Sequence, residues 1–392
     1  MSPSVVSTPS SKVHRGIENS SLAEPLQQVE RTFVLRQGRK LSYFGGCDYF
    51  RLSSHPAVLK ALRTGLEQFG LTVAASRKTT GNHSLYEKLE SALATFFGVD
   101  AAVLVSNGYV ANLVATQALE GEFTHALIDE RAHGSLLDAA GLLGCPIRRF
   151  KHLDPADASR VARATGHRAR LLLLTDGLFS HSGQVAPLGE YLRLLPNRTL
   201  LLVDDAHGAG TLGRHGRGTM EHMGVSDERI IQVMTLSKAF GVYGGAVLGS
   251  RRLRDRVVSR SRLFTGNTPL PLPLANAALT ALRIVRTDTR MRRRLMENMR
   301  QLTTALGGCG IPLLNGPGPI VSVEPRDARQ AESLRRRLLA HGIHPPLIRY
   351  PGGPASGYFR FAISSEHSAE QLGTLARCLA HSTLEGISTM PR

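Results

Sequence analysis

Seven short, mostly apolar runs, each ending at or directly followed by a polar or small residue, limit what this 392-residue chain can become. They are AAVLVS (101–106), HALID (125–129), PIRRF (146–150), RLLLLTD (170–176), TLLLVDD (199–205), IIQVMTL (230–236) and GGAVLGS (244–250). Several are apolar throughout, as expected of strands covered on both faces. Helical patterns lie between them at 108–119, 133–143 and 188–195, and a longer one runs from about 270 to 307. Strands alternating with helices predict an α/β fold, a mostly parallel seven-stranded sheet between helices.

After GGCGIPLLNGPGP the rhythm changes. IVSVEP, a helical stretch from Arg326 to Ala340, HPPLIRY, YFRFAIS and a last helix near 368–382 predict a small α+β domain. The expected division is a disordered Ser/Pro-rich tail (1–24), an N-terminal arm (25–60), a large domain (61–300) and a small C-terminal domain (301–392). No internal repeat is visible.

Hydrophobic residues make up 42% and charged residues 20%, which permits an enzyme-sized globular protein without arguing for one. Cys47, Cys145, Cys309 and Cys378 lie far apart with no paired spacing, so no metal site and no disulfide framework is expected, and a cytoplasmic setting fits. No apolar stretch approaches the roughly 20 residues that span a bilayer, and the N-terminus lacks the apolar middle of a secretory signal. No membrane association is expected.

The charge stands out: 48 Lys and Arg against 31 Asp and Glu leave +17. Arginines crowd 250–264 and 283–300, which read as amphipathic helices with basic outer faces. Such faces suit phosphates, but no recognition helix, wing or zinc module accompanies them, so no nucleic acid is expected. The alternatives are an ordinary solvated surface or a dock for an acidic partner, either a carrier protein or the phosphates of coenzyme A.

Ligands of open α/β sheets bind where strands end, so the polar residues after the apolar runs are the candidates. Asn107, Gly108 and Tyr109 follow one run at a helix start, where free N–H groups suit a phosphate. Asp204, Asp205 and His207 follow another, Ser237 and Lys238 a third, and His133 opens the helix of DERAHGSLLDAA. Singly, each could be a cap, a satisfied histidine or a snorkelling lysine. Together they supply a phosphate cradle, a carboxylate, an imidazole and an amine, the parts that pyridoxal phosphate needs. The amine must form an imine with the aldehyde, which a depressed pKa favours. The carboxylate must keep the pyridine nitrogen protonated, so that the ring accepts electrons from the substrate's Cα.

VDDAHGAGTLGRHGRG, TLSKAFGVYGG, DERAHGSLLDAA and TDGLFSHSGQVAPL resemble the motifs of the α-oxoamine synthases, fold-type I pyridoxal phosphate enzymes, from about Leu41 to the C-terminus. The resemblance implies a homodimer with active sites at the interface. It implies that Lys238 is the imine lysine and the acid/base at Cα, that Asp204 pairs with the pyridine nitrogen, and that His207 bonds the phenolic oxygen. His133 would stack on the ring and help stabilise an oxyanion. Ser180 and Thr235 would contact the ring-oxygen side and the phosphate, with the amides of Gly108 and Tyr109 also holding the phosphate. Arg360 would clamp the amino-acid carboxylate, a task suited to its planar fork.

Three departures stand out. GCDYFRL has Cys47 where the family has an asparagine near the substrate; GNHSLYEKLE has Tyr86 in place of a histidine; and FTGNTPLP has Gly266 in place of a threonine reaching the partner's phosphate, a role open to Thr265. Cys47 reads as a reactive thiol or, more simply, as a small residue widening the pocket. All three changes are expected on the substrate side or the dimer seam. The implied reaction joins an amino acid and an acyl thioester with loss of CO₂ to give an α-amino ketone, in secondary metabolism, the acyl group riding on coenzyme A or an acidic acyl carrier protein. A transaminase or aldolase with the same cofactor core is the alternative.

Overall fold

A computed structural model describes residues 23–308, 316–349 and 354–384, so residues 1–22 of the expected tail lie outside the described residues. Its strands are β1 (Gln27–Val29), β2 (Phe33–Arg36), β3 (Arg39–Ser42), β4 (Ala101–Val105), β5 (His125–Asp129), β6 (Ile147–Phe150), β7 (Leu171–Asp176), β8 (Leu200–Asp204), β9 (Ile230–Thr235), β10 (Gly245–Gly249), β11 (Ile320–Val323), β12 (Leu347–Ile348) and β13 (Tyr358–Ala362). All seven apolar runs are strands of one sheet, in the order β4-β10-β9-β8-β7-β5-β6. Only β10 runs against the others.

The sheet is covered on both faces because its side chains alternate. Val103, Val105, Leu172, Leu174, Leu202 and Val233 meet the helix Gly108–Gln117 on one face. On the other face Leu104, Met234 and Leu248 meet the helices Ser84–Phe97 and Leu272–Thr287, while Leu173, Leu201 and Val203 meet Pro155–Ala164 and Leu188–Leu194. Each such leucine or valine contributes about 1.5–3 kcal/mol by leaving water.

The expected single helix from 270 to 307 is two, Leu272–Thr287 and Thr289–Gly308. The Asp288 carboxylate accepts from Arg290 N at 3.0 Å and starts the second helix afresh, a local capping bond that apolar periodicity does not report.

In the small domain, β11-β13-β12 packs on the helices Ala328–Ala340 and Ala369–Leu384. Two features blur the expected boundaries. Phe44, from the arm, sits in the small-domain core, and Ser42 bridges Ile343. The helix Thr289–Gly308 places Met291 and Leu295 in the large core and Met299, Leu302 and Leu306 in the small one, so residue 300 lies inside an element.

The arm then runs across the loop after β9. Gly241 there has φ 63°, and a Cβ on it would stand 2.3 Å from Ser53 N. Gly241→Ala should therefore lower the urea midpoint more than Gly121→Ala, which has the same sign of φ with nothing within 4 Å. The control should cost about 1–2 kcal/mol; equal losses would mean that the arm does not press on this loop.

Candidate active site

The candidate residues gather at the carboxyl edge of the sheet, and the strand register explains two of them. Asp176 and Asp204 end β7 and β8 and stand directly opposite each other. Burial, helped by the neighbouring Asp204 charge, pushes the Asp176 carboxyl well above the usual carboxylate range. Asp204 is held on both oxygens, Oδ2 accepting from Asn112 Nδ2 at 2.6 Å and Oδ1 from Ala206 N at 3.0 Å. Asp205, the next residue, faces away from this group and accepts from Thr219 and Gln232; burial pushes its carboxyl up to about 7.

A relay of bonds connects Asp204 to His133. Asn112 Nδ2 donates to Ser135 Oγ at 3.0 Å, and Ser135 Oγ lies 2.8 Å from His133 Nδ1. Ser135 N also donates to Nδ1 at 3.2 Å, because His133 caps the helix Gly134–Gly141. Nδ1 is thus an acceptor, and the neutral ring carries its proton on Nε2. His133 N donates to Asp176 at 2.8 Å. Burial lowers the His133 pKa, against the pull of Asp204.

Lys238 follows the end of β9 by three residues. Burial lowers its pKa; Cys47, Asp204 and Asp176 oppose the shift and Arg360 adds to it, so all four lie within electrostatic reach of the amine. His207 is buried, its Nδ1 2.6 Å from the Tyr49 hydroxyl, and burial followed by the charges of Lys238 and Arg360 holds it well below the usual histidine range. Arg360, on β13, brings Nη2 within 3.8 Å of Cys47 Sγ. Residues from the arm, the large domain and the small domain therefore meet at one amine.

The helix start after β4 is built by close approach. Asn107 caps the helix Gly108–Gln117 through Val110 N at 3.0 Å and donates to Tyr243 Oη at 3.0 Å. A Cβ on Gly108 would stand 2.7 Å from Thr235 Cβ, so only glycine lets the helix start press on β9. Thr235 Oγ1 already donates to Gly244 O and accepts from Ser237 N, each at 3.1 Å. The Tyr109 ring stands edge-on to His133 at 6.3 Å, with its hydroxyl on Asp138. Ser180 lines a cavity of about 40 Å³ with His133, Asp176 and Arg131.

Thr265 is not drawn into this group within the chain; its bonds run to Ser261 and Ser76. Tyr86 is no part of the substrate side either. It is fully buried, and its hydroxyl donates to Leu270 O at 2.6 Å, holding the stretch just after Thr265. Sequence reasoning missed Asp176, Asn112, Ser135 and Tyr49. Asp176 carried a signal, as the polar end of an apolar run; the other three act through partners distant in sequence.

An amine of lowered pKa, a hydrogen-bonded carboxylate, a neutral flat imidazole and a helix start with no room for a Cβ are the donor set and cradle that pyridoxal phosphate requires. Comparison with known proteins agrees. The family model described as aminotransferase class I and II matches residues 45–379. The chain is 36% identical over 348 residues to an 8-amino-7-oxononanoate synthase of Thioalkalivibrio sulfidiphilus, covering 88% of this chain and 89% of the relative. It is 37% identical over 358 residues to one of Methylococcus capsulatus, covering 91% and 92%. Among solved structures, serine palmitoyltransferase of S. paucimobilis with PLP bound superposes at a TM-score of 0.85 with 28% identity, covering 93% and 92%. The 8-amino-7-oxononanoate synthase of Francisella tularensis gives 0.77 with 25% identity, covering 88% and 98%. The chain belongs to the aminotransferase class I and II family, within its α-oxoamine synthase branch of pyridoxal phosphate enzymes.

Proposed function

We propose that this protein condenses an amino acid with an acyl thioester, releasing CO₂ and a thiol and forming an α-amino ketone. The observation that carries the reading is the grouping of Lys238, Asp204 and Arg360, with the amine under the charges of both, a base, a carboxylate and a carboxylate clamp in one site. When bound, pyridoxal phosphate supplies an aldehyde that condenses with amines and a ring that withdraws electrons from the carbon attached to that nitrogen.

The chain's own groups do the rest. Asp204, fixed by Asn112 and Ala206, would hold a proton at the ring nitrogen. His133 offers a flat face and, with Nδ1 committed to Ser135, an Nε2–H donor for the developing oxyanion of the thioester carbonyl. Desolvation of Lys238 raises the share of neutral amine that takes the proton from the substrate's Cα. Arg360 would bind the amino-acid carboxylate beside Cys47, which would help select the substrate, and Ser180 would contact the ring-oxygen side of the cofactor. Gly108, Tyr109 and Thr235 would hold the phosphate.

The relatives named above are mostly 8-amino-7-oxononanoate synthases, but Cys47 beside Arg360 supports a changed substrate pair and a role in secondary metabolism. We assign the working form as a cytoplasmic homodimer. Exposed Tyr109 and Tyr243 beside the helix start suit a covered face, and Thr265 would then serve the partner's phosphate. Arg251, Arg252 and Arg254 point outward from the helix Arg251–Arg260, a basic face for an acidic acyl carrier protein.

Incubating the holoenzyme with single amino acids and acyl-coenzyme A should release CO₂ and free thiol in equal amounts; a keto acid without thiol would make it a transaminase instead. Lys238→Ala should lower turnover at least 10²–10⁴-fold, the order of magnitude for a lost acid/base, and abolish covalent attachment of the cofactor on borohydride treatment, read by mass spectrometry. Arg360→Lys should raise KM for the amino acid about 10-fold or more, the effect of losing a charged, forked hydrogen bond, with a smaller change in kcat. Reversing Arg251, Arg252 and Arg254 to Glu should lower kcat/KM for a carrier-bound acyl group, most at low salt, and leave the coenzyme A thioester unaffected.

A further inference from the structure

Among the described residues, the His207 ring has a single hydrogen-bond partner, the Tyr49 hydroxyl 2.6 Å from Nδ1. We propose that Tyr49 is a positioning residue: its O–H donates to Nδ1, so that the proton of His207 sits on Nε2 and an N–H, not a bare lone pair, meets the phenolic oxygen of the cofactor. This rests on the functional reading above.

The argument begins with charge. His207 faces Lys238 from the loop after β9, Arg360 from β13 and His133 from the start of the helix Gly134–Gly141, with Cys47 close to Tyr49 on the arm. Full burial, with the charges of Lys238 and Arg360 added, keeps the ring neutral. A neutral imidazole has one N–H, and the partner at one nitrogen decides where it goes. Burial keeps the Tyr49 phenol protonated far beyond neutral pH, so it remains a donor at any working pH.

The competing arrangement would turn the phenol towards Cys47 and let Nδ1–H donate to the tyrosine oxygen. A thiol sulfur is a weak acceptor, so this exchanges a strong bond for a weak one. Tyr49 is also held from moving. It is 1% exposed in the large-domain core; its N donates to Cys47 O and its O accepts from Ser365 N, both at 2.9 Å. The preceding Asp48 is fixed through Leu52 N and Ser53 N, each at 3.0 Å. The hydroxyl is therefore fixed in place before any ligand arrives.

The test uses ¹⁵N-histidine-labelled protein, with His207 identified by its loss in His207→Gln. In the cofactor-free wild type, long-range ¹H–¹⁵N correlation should show the Nε2–H tautomer, and Tyr49→Phe should give a mixture or the Nδ1–H form. In the loaded protein, a donor at the phenolic oxygen draws charge from the proton shared with the Lys238 nitrogen. Tyr49→Phe should therefore raise the pH midpoint of the visible absorbance change, by about half to one unit for one hydrogen bond. An Nδ1–H ring in the wild type overturns the proposal, as does Tyr49→Phe with both tautomer and midpoint unchanged. Failure to take up pyridoxal phosphate would sink the functional reading instead, while the tautomer of the cofactor-free wild type still judges the Tyr49–His207 arrangement.

Discussion

Two carboxyl groups that end neighbouring buried strands in register cannot both carry charge cheaply, and the site is organised around that conflict. Burial and the charge of Asp204 push the Asp176 carboxyl well above the usual carboxylate range, while Asp204 is held on both oxygens by Asn112 and Ala206. Lys238, His133 and Arg360 come from different elements, yet each is placed where the Asp204 carboxylate can act on it or on its neighbour. The sheet enforces this arrangement, since sliding β7 against β8 by one residue would turn one carboxyl to the opposite face.

Most of the fold was legible because its signal is local. Most of the seven central strands are nearly continuous apolar runs, and burial on both faces is what makes such runs legible; the edge strand β6, with Arg148 and Arg149 exposed, is the exception. The junction at Asp288 was not legible, because one side-chain bond to the backbone outweighs a periodicity that continues across it. The domain boundary failed for a similar reason: an amphipathic helix can present one half to one core and the rest to another without any change in its pattern.

The candidate site was legible in proportion to how directly each residue does chemistry. Lys238, Asp204, His133, His207 and Gly108 were announced by residue type at strand ends, whereas Arg360 and Cys47 were picked out only by the family resemblance. Tyr49, Asn112 and Ser135 work by fixing a proton or a ring, and their partners lie at sequence separations that no local window spans. Tyr86 illustrates the converse. A departure from a motif histidine suggested the substrate side or the dimer seam; the hydroxyl donates to the Leu270 carbonyl in the core.

The helix Thr289–Gly308 is a member of both hydrophobic cores, and this bears on how the molecule comes apart. Melting the small domain strips the last turns of that helix and frays the part that helps close the large domain. The two units should therefore lose structure in one cooperative transition rather than in two separate steps.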